Sequence, residues 1–199
     1  MAVTASLRRS ARILLCALLA WAALAAPATA QQATTESFDP LHTRFGFELR
    51  TRWGQRVAGD FPDYAGELTV LPDGRHQVRI VLATAAVQVA DSARYTELAR
   101  GPRFFDSARY PRIEFLSEPH HADVVDRGGR LRGKLSMHGV SRMETFVLAP
   151  AACARPGKDC DVLATGSISR GDYGLDGWQL ALIDRVRFTL RVRLLEPAR

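Results

Sequence analysis

The chain has 199 residues, 27 of them Lys or Arg and 21 Asp or Glu, for a formal charge of +6. Three of those arginines fall in the first thirty residues, so residues 31–199 carry 24 basic against 21 acidic groups, or +3. That surplus is too mild to argue for nucleic acid or an anionic membrane as a charge-held partner, and no nucleic-acid partner is expected.

In chain order, Arg8, Arg9 and Arg12 precede an apolar run from Ile13 to Ala26, and Ala28-Thr29-Ala30 follows. This is the pattern of a secretory signal peptide, with cleavage expected after Ala30. The run is short for a membrane span, and no later segment supplies about 18 uncharged apolar residues. Leu15 directly before Cys16 argues against a lipoprotein anchor. Residues 1–30 are therefore expected to be removed, and residues 31–199 to form one domain with a proper core.

From Arg44 onward the pattern has period two. Phe45, Phe47, Leu49, Thr51 and Trp53 alternate with Arg44, Gly46, Glu48, Arg50 and Arg52, which predicts a strand with one buried face. Val57 to Phe61 returns, Pro62-Asp63 interrupts, and Tyr64 to Val70 alternates again. Pro72-Asp73-Gly74 is a turn signal before Val78, Ile80 and Leu82. Ser92 to Arg109 interrupts the rhythm: Tyr95, Leu98 and Ala99 lie at helical spacing, and Gly101-Pro102 ends the helix.

Phe104 and Phe105 follow directly. Burying each aromatic contributes roughly 1.5–3 kcal/mol, so both should cover something apolar. Pro111 biases Tyr110 toward extended geometry and launches a strand with Ile113, Phe115 and Ser117 on one face. The pair reads equally as a plug at a barrel mouth or as a helix capping an ordinary β-core.

Glu118 to Asp123 reads as loop and Gly128-Gly129 as a hairpin turn. Leu131, Gly133, Leu135 and Met137 then alternate with Arg130, Arg132, Lys134 and Ser136, and Glu144 to Leu148 returns. Thr165 to Arg170 and Val186 to Leu194, the latter through Phe188 and Leu190, complete about eight strands. The class is all-β and antiparallel, with barrel and sandwich not distinguished by period alone. Cys153 and Cys160, in a loop with Pro150, Pro156 and Gly157, are expected to form a disulfide in an exported protein. The strand arginines alternate with apolar residues, which describes a solvated outer face.

Few residues suggest chemistry. Asp39 and His42 are spaced to hydrogen-bond and fix the start of the first strand, and no Gly-x-Ser-x-Gly elbow accompanies them. An exported hydrolase using Asp39, His42 and an unidentified Ser remains a rival. His120 and His121 would point to opposite faces of a strand, with only Asp123 near, so no metal is expected. An eight-stranded interior is just wide enough to be filled or to hold one apolar ligand, which needs no polar motif.

Five segments in order resemble the YceI-like family of exported lipid-binding proteins. They are Phe38 to Phe47, Gly59 to Leu68, Phe104 to Ser117, Gly133 to Val140 and Arg170 to Gly174. The resemblance covers nearly all of residues 36–195. It implies periplasmic residence and a lipocalin-like extended antiparallel β-barrel with a short helical insertion. It also implies a polyisoprenoid ligand, such as an isoprenoid quinone, and no catalytic cofactor. Arg94-Tyr95-Thr96-Glu97-Leu98 departs from the family's Arg-Asp followed by His-Leu, and the Cys153 to Cys160 loop looks like an individual addition.

On that reading the cavity is lined by Phe45, Phe47, Leu49, Trp53, Phe61, Phe104, Phe105, Ile113, Phe115, Leu135, Met137, Phe188 and Leu190. No reaction is expected. The rival is a non-catalytic interaction protein with the same barrel and a filled core, serving a membrane or stress-response partner. A homodimer and a transient membrane contact are compatible with either.

Overall fold

The computed structural model describes residues 32–196, so the expected signal peptide lies outside the described residues. Eleven strands form one sheet: β1 (Thr34–Ser37), β2 (Arg44–Thr51), β3 (Arg56–Asp60), β4 (Tyr64–Val70), β5 (His76–Ala83), β6 (Gln88–Val89), β7 (Arg112–Ser117), β8 (Gly129–Met137), β9 (Val140–Leu148), β10 (Val162–Ser169) and β11 (Leu182–Val192). Two helices interrupt them, α1 (Ala93–Arg100) and α2 (Asp123–Arg127). The count exceeds the expected eight mainly because β1 has four residues and β6 two, too short for alternation to reveal.

The strand order is β1-β4-β5-β7-β8-β9-β10-β11-β2-β3-β6, with every neighbouring pair antiparallel. Consecutive strands β3 and β4 lie near opposite ends of that order yet are joined by only residues 61–63. The sheet must therefore curl until its ends meet. Residues 37–39 stitch the seam: the Phe38 amide donates to the Gly66 carbonyl at 2.9 Å, the Asp39 amide to Arg193 at 2.9 Å, and Leu195 to Ser37 at 2.8 Å. The fold is an antiparallel, lipocalin-like barrel.

Alternation explains what fills it. In β2, Phe45, Phe47, Leu49 and Thr51 are buried while their neighbours reach solvent. On the outer face, Arg79 pairs with Glu114 at 2.8 Å and Arg56 with Glu48 at 3.2 Å. Strand glycines make room for the inward rings. A Cβ at Gly59 would overlap Phe47, one at Gly66 Phe38, one at Gly133 Phe115, and one at Gly166 Phe146. Each of these rings lies across a glycine that an alanine would close.

One local expectation changes. Gly128-Gly129 is not a hairpin turn, because Asp123–Arg127 coils into α2 and Gly128, at φ +76°, ends it before β8. The turn expected at Gly139-Val140-Ser141 is a tight hairpin between β8 and β9 one residue earlier, where His138 and Gly139 both take positive φ, +52° and +78°, and Val140 already begins β9. The helical break at α1 and the strand after Pro111 stand where expected, with the Ser92 hydroxyl capping α1 by accepting from the Tyr95 amide at 3.1 Å.

Candidate ligand-binding site

Four voids run in file along the barrel and share walls. At the α1 end lies an open cavity of about 520 Å³, bounded by β2, β3, β6, α1 and the loop before β11. At the opposite end lies one of about 350 Å³. Between them are voids of only about 10 and 30 Å³. Phe47, Leu49 and Phe104 are common to the large mouth cavity and the 10 Å³ void; Phe188 joins the two small voids, and Ile80 and Leu190 join the waist to the far cavity.

Aromatic packing narrows the waist. Phe115 stacks edge-on against Phe146 with ring centres 5.0 Å apart, and Phe146 meets Phe188 at 6.5 Å. Nearer the mouth, Phe61 sits between Phe47 at 5.5 Å and Phe105 at 5.7 Å, and Phe105 packs edge-on to Phe104 at 4.8 Å.

The thirteen residues expected to line a cavity therefore divide by depth. Phe47, Leu49, Trp53 and Phe104 border the mouth cavity. Phe105 and Met137 border the smallest void, and Phe45, Ile113, Phe115, Leu135, Phe188 and Leu190 surround the waist. Phe61 is buried as packing and borders none of these four voids. Trp53 differs from the pattern that pointed to it. β2 ends at Thr51, the chain turns through Gly54 at φ +89°, and Trp53 stands 68 % exposed on the rim.

Val57 and Leu182 extend the β2 wall, paired with Leu49 and Thr51 on the strands flanking β2, and the rest of the mouth comes from segments without period two: Val89, Tyr95, Leu98 and Trp178. Helix α1 is pinned there by Thr96, whose hydroxyl accepts from the Val89 amide at 2.9 Å, and by Arg100, which donates to the Val87 carbonyl at 3.1 Å. Arg94 and Tyr95, the departure noted in the sequence, both border this cavity, beside Asp91 and Ser92.

A buried arginine builds the facing loop. Arg170 is 1 % exposed and donates to the carbonyls of Leu175 at 2.8 Å, Gly177 at 2.9 Å and Ile183 at 3.3 Å. Its guanidinium lies 5.8 Å from the centre of the Phe104 ring. Burial pulls its pKa below the usual guanidinium value. Beside it, the Asp184 carboxylate accepts from the Ser169 hydroxyl and, at 2.8 Å, from the Gly171 amide. Those bonds hold its pKa below the ordinary value. Tyr173, fully buried, donates its hydroxyl to Glu144 at 2.9 Å, and burial raises its pKa. An arginine in an alternating strand reads as a solvated residue, so this role left no trace in period or spacing.

The far end is fastened differently. The Cys153–Cys160 disulfide is formed, with Cα atoms 6.1 Å apart. Its loop carries Pro156, Gly157 and Lys158 onto the far cavity, where Lys158 pairs with Glu36 at 3.4 Å. His76 and His120 exchange backbone hydrogen bonds of 2.8 and 2.9 Å, with their rings 6.3 Å apart. Burial lowers the His120 pKa. No group of three His, Cys, Asp or Glu residues converges on a metal position among the described residues.

Asp39 and His42 do bond to each other, and Asp39 also accepts from the Leu41 amide at 2.8 Å. The histidine's hydrogen bond lowers the Asp39 pKa. The adjacent Thr43 is buried with its hydroxyl donating to the Arg193 carbonyl at 3.2 Å and accepting from the Arg193 amide at 3.1 Å. These bonds shape the turn into β2.

Comparison with known proteins agrees with this architecture. The model of the YceI-like domain matches residues 37–194. The crystal structure of Burkholderia cenocepacia BcnA is similar at TM-score 0.64 and 15 % identity, over 78 % of this chain and 98 % of that one. A polyisoprenoid binding domain from Saccharophagus degradans, implicated in plant cell wall breakdown, reaches 0.61 at 13 % identity over 83 % and 100 %. The Campylobacter jejuni YceI protein reaches 0.55 at 18 % over 70 % and 85 %. No curated protein matched by sequence. Structural likeness at such identities speaks for the fold, and the family model, spanning most of the chain, speaks for descent: this chain belongs to the YceI-like family.

Proposed function

We propose that the protein is a periplasmic carrier that holds an isoprenoid-type lipid, such as an isoprenoid quinone, in its barrel and performs no reaction on it. The observation that carries this reading is the mouth cavity. Its volume of about 520 Å³ lies within the roughly 300–1,000 Å³ of small-molecule sites. Its walls are mostly apolar, with Asp91, Ser92 and Arg94 gathered to one side, where a polar head group would rest. The Saccharophagus domain described as polyisoprenoid binding supports the ligand class.

The waist decides how far a chain reaches. Voids of about 10 and 30 Å³ hold at most about one water-sized group each. A chain of several isoprene units must turn aside the Phe47, Phe104 and Phe188 rings to continue. Solvent extraction of the purified protein followed by mass spectrometry is expected to return a prenyl lipid, and added quinone to be taken up. No prenyl lipid and no uptake would sink the reading. The filled waist favours one rival, an interaction protein with a closed core, and the same experiment separates the two.

A further inference from the structure

The rim of the mouth presents side chains that water does not favour. Leu180 is 92 % exposed and Trp53 68 %, and among the large hydrophobics of the described residues only Leu41 stands out comparably. Both tryptophans of the described residues sit here, on neighbouring segments, since the Arg52 amide donates to the Ala181 carbonyl at 2.8 Å and Thr51 pairs with Leu182. Trp53 lies in the turn after β2 and Trp178 in the loop before β11, while Tyr95, 43 % exposed, projects from α1.

Trp178 holds φ at +65°, a conformation rarely taken by a bulky residue and persistent only where its surroundings enforce it. They do so here: Arg52 donates to the Gln179 carbonyl at 2.8 Å, and the Arg103 guanidinium lies 5.9 Å from the Trp178 ring. Trp178 stands 38 % exposed in this arrangement.

Charge follows the same rim. Arg52, Arg94 and Arg103 are exposed, and none of them pairs with a carboxylate among the described residues. The acids nearby are Asp91, on the cavity wall, Asp176, which accepts from Gln179 at 3.0 Å, and Glu97, one turn along α1 from Arg94 and paired with Arg100 at 3.3 Å. The chain's small net charge does not predict this local grouping.

We infer that the rim is a docking surface for an anionic bilayer, set mouth-down. Amphipathic Trp and Tyr rings settle at head-group level, Leu180 reaches the acyl boundary, and arginines meet lipid phosphates. A protein partner would have to bridge an open cavity with shape-matched contacts. Fluid hydrocarbon instead continues into the opening, so a lipid passes between leaflet and barrel without crossing water. The inference extends the carrier reading by naming where exchange occurs, and rests on it only for what is exchanged.

The test uses vesicles of phosphatidylglycerol brominated in the acyl chains and free of isoprenoid lipid. In the chain cleaved after Ala30, or in a Trp21→Phe background where the signal is retained, only Trp53 and Trp178 report. Their fluorescence is expected to shift blue and be quenched by at least a third, with vesicle affinity falling severalfold at raised salt. Trp53→Ala with Leu180→Ser should weaken vesicle affinity at least tenfold in co-sedimentation at unchanged melting temperature. Absent quenching overturns the inference, even if vesicles bind, because the contact then lies elsewhere. Quenching that is equal on phosphatidylcholine and insensitive to salt overturns it as well. Since the vesicles hold no isoprenoid, these outcomes are independent of whether a prenyl lipid is extracted from the protein.

Discussion

The two ends of the barrel each carry a cavity, and they are finished in opposite ways. At the far end a disulfide, the Lys158–Glu36 ion pair and the His76–His120 bridge tie the surrounding segments to one another. At the mouth the facing loop is gathered by one buried arginine onto backbone carbonyls, and large apolar side chains are left in water. The far cavity is about as open as the mouth, so covalent and paired ties suit an end whose opening has to keep its shape. Hydrogen bonds to backbone, which local motion breaks and remakes, suit an end through which a ligand passes.

The waist keeps the two ends apart, and its aromatic rings are the most sensitive point of the barrel. Phe188→Ala removes the ring common to both central voids and should destabilise the protein by about 3–5 kcal/mol, read from denaturant midpoints at unchanged slope. The same variant should accept longer prenyl chains than the parent in competitive uptake. Equal chain-length preference would mean that the aromatic waist does not limit the site.

At the mouth, Arg170→Ala leaves the carbonyls of Leu175 and Gly177 without their donor and uncovers Phe104. We expect a loss of about 2–4 kcal/mol. Amide exchange should accelerate across residues 171–182 while β4 and β5 stay protected. Arg170→Lys should rescue little, because one ammonium cannot reproduce a planar fork.

The far end gives a smaller effect. Replacing Cys153 and Cys160 by serine releases a short loop, for which chain entropy predicts about 2–3 kcal/mol. Lipid uptake at the mouth should be unchanged. A parallel loss of uptake would show that the ends are mechanically coupled, against the contrast drawn between them.

How much of this was legible follows from where the chain alternates. Strands β2, β8 and β11 were readable because each keeps one buried and one solvated face, so Phe45, Leu135 and Phe188 could be assigned inward from period alone. β6 has too few residues to alternate, and α2 is five residues with only Val124 and Val125 half-buried against the core, which left Gly128-Gly129 as the louder and misleading signal. Trp53 continued the β2 pattern beyond the strand's physical end, since alternation cannot see a turn whose first residues keep the rhythm. The helix-side wall and Arg170 were hidden for a deeper reason. Neither keeps period two: α1 folds back on Val89 and Val87 through contacts 7 and 13 residues apart, and Arg170 reaches carbonyls 5, 7 and 13 residues on, so that an arginine satisfying three carbonyls looks in a pattern like any surface arginine.

Acid should undo the two ends at different pH, which is the mildest way to sharpen the contrast. Burial holds the His120 imidazole below its ordinary value of 6.5, with His76 and His121 adding repulsion against its charged form. The unfolded chain therefore binds the proton more readily, and stability is complete above about pH 6.5 and falls as pH drops toward the folded value. Asp184, at the mouth, has its pKa depressed below 3.8 by the Ser169 and Gly171 hydrogen bonds, so its contribution persists until the pH falls below that value. Between pH 7 and pH 5 the far end should loosen first, seen as faster amide exchange around residues 76 and 120 while residues 169–184 stay protected. His120→Gln, which cannot take up the proton, should flatten the stability profile in that interval and leave the more acidic limb in place. If the variant's profile overlays the parent's, the imidazole is not the group that senses pH, and the far end is held by its disulfide and ion pair alone.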